Sequence, residues 1–157
     1  MFKSFMNKAL EEAVKALEYD EIPIGAIIID SYTGNIISRA HNLVYTNNDP
    51  TAHAEILVLK KAAQILKTPY LDKCDLYVTI EPCAMCAQAI SWSRIRRVYF
   101  GAEDVKSGAI ENGVCLYGNK NCHHKPEVYS GMMSGEASKL LQDFFSSRRS
   151  NIDSIDL

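Results

Sequence analysis

Three patterns in the sequence predict an α/β domain whose sheet is covered by helices. Through the middle of the chain, short runs rich in β-branched and aromatic residues alternate with stretches of helical period. Each end carries an amphipathic stretch of helical spacing. The length, 157 residues, is that of one ordinary domain and is enough to bury a full core.

The opening segment "MFKSFMNKALEEAVKALE" sets Phe5, Ala9, Leu10, Ala13, Val14 and Leu17 at helical spacing. Acids among them set it apart from a secretory leader or an acid-poor transit peptide, so it is expected to be the first helix. "IPIGAIIID" and "GNIISRAHN", separated by a turn at Tyr32 to Gly34, predict an antiparallel hairpin. A helix is expected from about Ala52 to Leu66. "CDLYVTI" reads as the third strand, Ala84 to Ser93 as a helix, "RRVYFGA" as the fourth strand and "EVYSGM" as a short fifth. In "EASKLLQDFFSSRR", Ala137, Leu140, Leu141, Phe144 and Phe145 form one apolar stripe of a closing helix. No repeat, low-complexity tract or long linker divides the chain. Residues 1–150 are therefore expected to form a single domain, with 151–157 as a frayed tail.

Composition narrows the class. Hydrophobic residues at 47% and charged residues at 23% are those of a soluble globular protein, and no run of about 18 apolar residues could span a bilayer. No membrane partner is expected. Five cysteines are an odd number and two of them sit in a C-x-x-C, so a disulfide framework accounts for them poorly and the cytoplasm is the expected compartment. A formal net charge of −2 argues against indiscriminate nucleic-acid binding. Its distribution is uneven, with nine Lys or Arg against six Asp or Glu between residues 90 and 150, which leaves room for a local basic face.

Two clusters carry chemistry. "PTAHAEILVLKKA" opens a helix with His53 and Glu55 two residues apart, and "TIEPCAMCAQAISWSRIRRV" places Cys83 and Cys86 three apart at a second helix start, where they share one face. The exposed N–H groups and positive dipole end of a helix favour the thiolate that binds metal. Two thiolates and an imidazole suit Zn²⁺, one per subunit, and leave a fourth tetrahedral position for a water whose pKa the metal lowers. Glu55 is then free to move protons as general acid and base. Duller readings stand beside this one. An isolated H-x-E is usually accidental, a C-x-x-C can be a redox pair, and a structural zinc could recruit Cys74, Cys115, Cys122, His123 or His124 as fourth ligand.

His53-Ala54-Glu55 followed by Pro82-Cys83-Ala84-Met85-Cys86 matches the H-x-E and P-C-x-x-C signature of zinc nucleobase deaminases. The chain resembles the cytidine-deaminase-like superfamily, and within it the bacterial tRNA-specific adenosine deaminases. "EIPIGAIII", "NDPTAHAEI", "LYVTIEPCAMCAQAI", "SRIRRVYFGAEDVKSGA" and "LLQDFFSSRR" carry the likeness over most of the chain. The resemblance implies a three-layer α/β/α fold with a five-stranded mixed sheet and helices on both faces. It implies hydrolytic attack at C6 of the wobble adenosine of an arginine tRNA, with Glu55 catalytic and the metal on His53, Cys83 and Cys86. It implies a homodimer acting on the tRNA anticodon stem-loop, with no DNA partner. Substrate contact falls to Asn42, which matches the position that holds the flipped base, to Ala54, to Asp104 and Lys106 after the fourth strand, and to Phe145, Arg148 and Arg149 on the last helix. From the residues alone, Asn42 reads equally as a turn or cap residue, and the two arginines as a solvated helix end with Phe145 in the core. A free guanine or cytosine/nucleoside deaminase on the same scaffold is the alternative activity, and a catalytically silent RNA-binding module a third. Cys122, His123 and His124 are outside the family pattern and are expected at the surface.

Overall fold

Alternation along the strands decides how the layers form. Ala26, Ile28, Leu76, Val78, Val98 and Phe100 point to one face of the sheet, and Ile27, Ile29, Tyr77 and Tyr99 to the other; both sets are buried. A sheet apolar on both sides must be covered on both sides. The computed structural model describes residues 2–153. Its elements run α1 (Phe2–Leu17), β1 (Gly25–Asp30), β2 (Ile36–His41), α2 (Ala54–Leu66), β3 (Cys74–Ile80), α3 (Ala84–Trp92), β4 (Arg97–Ala102), β5 (Glu127–Tyr129) and α4 (Ser134–Asp153). Residues of α2 and α3 (Ala54, Val58, Ala62, Ala87, Ile90) join the first core, and those of α1 and α4 (Met6, Ala9, Leu10, Ala137) the second. This is the expected three-layer α/β/α arrangement.

The sheet order is β2-β1-β3-β4-β5. β1 is antiparallel to β2 and β3, while β3–β4 and β4–β5 are parallel, so the sheet is mixed. Register then gathers distant segments at one end. Gly25 at the start of β1 pairs with His41 at the end of β2, Ala26 pairs with Val78, and Ile80 with Ala102. The segment before β1 and the segments after β2, β3 and β4 therefore meet at the same edge. Gly25 is required there. A Cβ on it would stand 2.1 Å from the Ala9 carbonyl oxygen and 2.4 Å from the Ala13 nitrogen, so α1 lies backbone to backbone on the strand.

The structure departs from the sequence expectations in five places. On α1 the buried apolar arc is Met6, Ala9, Leu10, Ala13 and Ala16, whereas Val14 and Leu17 are exposed. Small side chains let the helix approach at Gly25, and the bulkier neighbours fall outside that narrow contact. α2 begins at Ala54 instead of Ala52, because His53 is extended and caps it. Phe145 leaves the apolar stripe of α4 and is 44% exposed, while Ala137 and Phe144 are buried. α4 runs on through Asp153, since no Gly or Pro stops it, so residues 151–153 of the expected tail lie in the helix and 154–157 lie outside the described residues. Cys122 is buried and His124 half-buried, leaving only His123 of that trio exposed. The Ser91 hydroxyl lies 3.4 Å from Cys122 Sγ, and His124 Nε2 lies 2.7 Å from the Ile95 carbonyl oxygen, which ties this loop to the end of α3.

Candidate metal centre and its pocket

Both N-cap positions that face each other carry a ligand-type side chain in place of the usual Ser, Thr, Asp or Asn. His53 caps α2 and Cys83 caps α3, each with extended backbone and neither making a side-chain cap hydrogen bond. Cys86 sits one turn into α3 and is fully buried. His53 Nδ1 lies 3.6 Å from Cys83 Sγ and 3.5 Å from Cys86 Sγ. Ligands about 2.0 Å (N) and 2.3 Å (S) from a tetrahedral zinc stand about 3.6 Å apart, so the residues fit that ion as they lie. All three donor atoms fall within 4.8 Å of one another, and among the described residues no other His, Cys, Asp or Glu forms such a group. Cys74, Cys115, Cys122, His123 and His124 supply no fourth ligand, which removes the composition argument for a closed structural site.

The titrating groups respond to each other. Cys83 is lowered to about 4, first by its hydrogen bond with Cys86 and further by His53. Cys86 is pushed far up by that same bond and by burial. His53 is raised, chiefly by its bond to Cys83. Glu55 is only 3% exposed, and burial pushes it to about 7 against the opposing pull of its own backbone amide and His53. A carboxyl titrating there can hold a proton or release it near neutral pH.

Glu55 shares a cavity of about 320 Å³ with Asn42, His53, Ala54, Cys83 and Asp104. That cavity leads into a groove of about 1070 Å³ lined by Asp104, Lys106, Phe145, Arg148 and Arg149. Every residue singled out in the sequence for substrate contact thus lies on one continuous surface. They are not equivalent, however. Arg148 is held by Asp20, its Nη2 donating to the Asp20 carbonyl oxygen at 2.8 Å and pairing with the carboxylate at 2.8 Å, and it stacks over Phe144.

Two further residues escaped the sequence reading. Glu21, fully buried, accepts from Asn42 Nδ2 at 3.2 Å and from the Thr46 amide and hydroxyl at 2.7 and 3.0 Å, and so fixes the Asn42 side chain. Glu81, 2% exposed, accepts five hydrogen bonds from the segment after β4. Burial alone would raise Glu81, yet Asn112 and the backbone amides hold it below the ordinary range. An acid written next to a proline gives no sign of burial, because the donors that justify it lie 23 to 31 positions away.

Fold and donor set together define a class, the zinc-dependent hydrolytic deaminases of cytidine-deaminase-like architecture. Residues 2–102 match the model of the cytidine and deoxycytidylate deaminase zinc-binding region. The tRNA-specific adenosine deaminase of Agrobacterium fabrum is 49% identical over 145 residues, covering 92% of this chain and 94% of that protein. A structure solved in biochemical and structural studies of A-to-I editing by tRNA:A34 deaminases at the wobble position of transfer RNA matches with a TM-score of 0.85 and 49% identity, over 88% of this chain and 99% of that one. A guanine deaminase from Bacillus subtilis shares the fold at a TM-score of 0.62 and 31% identity, over 94% and 92% of the two chains. The chain belongs to the tRNA-specific adenosine deaminase family.

The buried carboxyl sets a pH dependence in the metal-stripped protein. Glu55 is raised from 4.5 to about 7 on folding, so between those values the folded state keeps a proton that the unfolded state releases. Its stabilising contribution is complete below about 4.5 and is lost as pH rises through about 7. Glu55→Gln removes that loss, and urea melts of the stripped proteins at pH 5 and pH 8 should show the variant gaining on the parent only at the higher pH. An equal gap at both would mean that Glu55 is not held protonated.

Proposed function

We propose that this protein hydrolyses adenosine to inosine at the wobble position of a tRNA anticodon, breaking the C–N bond of a cyclic amidine, with an arginine tRNA as substrate. The seam between cavity and groove carries this reading: Ile22, Ile24, Ile80, Asp104 and Ser107 line both. A free base needs only the small cavity. A base still attached to its strand needs a cavity that opens onto a surface able to follow the backbone, and an anticodon loop lowers the cost of extruding it. Lys106 and Arg149 can meet phosphate there, and exposed Phe145 can stack an unpaired base. The same groove disfavours the second reading, a free guanine or cytosine/nucleoside deaminase.

When bound by His53, Cys83 and Cys86, zinc supplies the Lewis acidity that brings a water's pKa toward neutrality. Glu55 accepts the proton released as water attacks C6, passes it to a ring nitrogen, and next serves the departing amine, which leaves as ammonia. Adenosine and water become inosine and ammonia. Asn42, with one N–H committed to Glu21, keeps its carbonyl and second N–H for the purine edge. Ala54 is the first residue of α2, where helix geometry leaves the N–H without an intrahelical acceptor.

We also place the protein in the cytoplasm as a homodimer, with RNA and not DNA as its partner. Five free cysteines suit a reducing compartment. Exposed Met85 and Trp92, two turns apart on α3, offer the apolar stripe a self-association surface needs. Sedimentation equilibrium at micromolar concentration should return twice the chain mass, and a monomer would overturn the assembly.

Glu55→Ala should keep zinc and fold while turnover of a wobble-adenosine anticodon stem-loop drops by about 10³-fold or more. Inosine formed at the parent rate would remove Glu55 from its role, and product only from free bases would remove the RNA substrate. Arg149→Ala should weaken stem-loop binding and flatten the dependence of log affinity on log salt by about 0.7. Arg148→Ala should change that slope less, because Asp20 already holds its charge; titrations at low and moderate salt decide between them.

A further inference from the structure

The segment joining β4 to the loop at Leu116 forms the outer wall of both the cavity and the groove, through Asp104, Ser107 and Lys106. It has little regular structure of its own, being turns and bends from Glu103 to Asn112. Such a stretch would be mobile unless something satisfied its backbone. One side chain does most of this. Glu81 Oε1 accepts from the Asp104 amide at 3.1 Å and from Asn112 Nδ2 at 2.7 Å. Its Oε2 accepts from the amides of Ile110, Glu111 and Asn112 at 3.1, 3.0 and 3.1 Å. Both ends of the segment are therefore fastened to one buried carboxylate, two positions before Cys83 in the chain.

The packing around it leaves no slack. A Cβ on Gly108 would stand 2.5 Å from Glu81 Cδ, 2.6 Å from Oε2 and 2.4 Å from the Asp104 carbonyl oxygen. The Ala109 amide donates to the Pro82 carbonyl oxygen at 3.0 Å, and Gly108 bridges to Cys83. The wall is thus locked against the strand-to-helix junction that presents the metal ligand. His53, Glu55 and Cys86 stand on α2 and α3 and make no hydrogen bond to Glu81.

Taking the deaminase reading as its basis, we infer that Glu81 is a positioning residue for substrate capture: its carboxylate holds the Glu103–Asn112 segment as a preformed wall against which the extruded base and its flanking backbone are received. The wall contacts substrate before and during the reaction alike, while Glu55, His53 and Cys86 are anchored elsewhere, and Cys83 keeps its place at the start of α3. Loosening it removes uniform binding, which raises KM and leaves kcat in place. Glutamine cannot substitute. A carboxylate offers two acceptor oxygens, and the amide replaces one of them by a donor facing backbone N–H groups whichever way it turns.

The test uses zinc-loaded parent, Glu81→Gln and Gly108→Ala, all studied well below their unfolding temperatures. Zinc per chain, amide hydrogen exchange at Asp104 and Ile110 to Asn112, and kcat and KM on the wobble-adenosine stem-loop are measured together. Both variants should keep one zinc per chain, exchange those amides about ten-fold faster or more, and raise KM by about ten-fold with kcat within about three-fold of the parent. Faster exchange with KM unchanged would reduce Glu81 to a purely structural anchor and overturn the inference. So would unchanged exchange, or a loss confined to kcat. Should Glu81→Gln fail to fold, Asn112→Ala, which deletes only the single side-chain donor among the five, carries the same test with a smaller expected rise in KM of about three-fold. A parent protein inactive on the stem-loop defeats the substrate reading instead, and is told apart because the exchange result is independent of activity.

Discussion

The molecule depends on the meeting of two helix N-termini. A tetrahedral ion with one nitrogen and two sulfur ligands needs its donors about 3.6 Å apart, and such proximity must be imposed by the backbone because three mobile side chains would not hold it. Here α2 and α3 lie on the same face of the sheet, packed through Ala54, Val58, Ala62, Ala87 and Ile90. His53 and Cys83 occupy their cap positions, and Cys86 stands one turn later. The helix dipoles favour the thiolate charge that the ion requires. Much of the rest serves to hold these two caps in place: small residues at the sheet-facing positions of both helices, a mixed sheet whose register brings four segment ends together, and a loop wall locked by Glu81.

Buried carboxyls divide the work at that edge of the sheet. Glu55 has little to compensate its burial, and its pKa is pushed up to about 7. Glu81 lies equally deep, yet five N–H donors keep it below the ordinary carboxylate range. Two identical side chains thus acquire opposite characters from their surroundings, with desolvation dominant at Glu55 and hydrogen-bond donors at Glu81, one able to exchange a proton near neutrality and the other a fixed anion. Glu21 serves a third purpose by holding the Asn42 amide at 3.2 Å. That bond decides which end of Asn42 is spent inside the protein, and so which groups it leaves for the cavity it lines.

Legibility in the sequence tracked the range of the interactions. Strands came through because alternation and β-branching are local, and "CDLYVTI" coincides with Cys74–Ile80. The metal donors came through because H-x-E and C-x-x-C are short and sit at helix starts. What failed depended on tertiary contact. Val14 and Leu17 match the helical period of α1, yet the approach of Ala9 and Ala13 to Gly25 sets a contact too narrow to include them. Phe145 fits the α4 stripe and still points into the groove. Cys122 reads as a surface residue in the sequence, whereas Ser91 and the His124 carbonyl pack against it in the fold. Glu21 and Glu81 were invisible for the same reason, since no local pattern announces a carboxylate whose donors arrive from another loop.

Substrate scale is set by what surrounds the cavity more than by the cavity itself. The chemistry proposed for His53, Glu55, Cys83 and Cys86 would serve any aminated ring that reaches it, and one fold accordingly hosts guanine deaminases and tRNA-specific adenosine deaminases. Discrimination then lies in the approach. α4 supplies one side of the groove, and Arg148 anchors that helix to Asp20 at the turn leading into Glu21 and Ile22. The segment after β4 supplies the other side, held by Glu81. Both walls are therefore tied to residues that line the cavity, Asn42 through Glu21 and Cys83 through Pro82. A strand lying in the groove would meet walls already set relative to the reacting atoms, so that energy from binding the backbone can be spent on orienting the base rather than on ordering the protein.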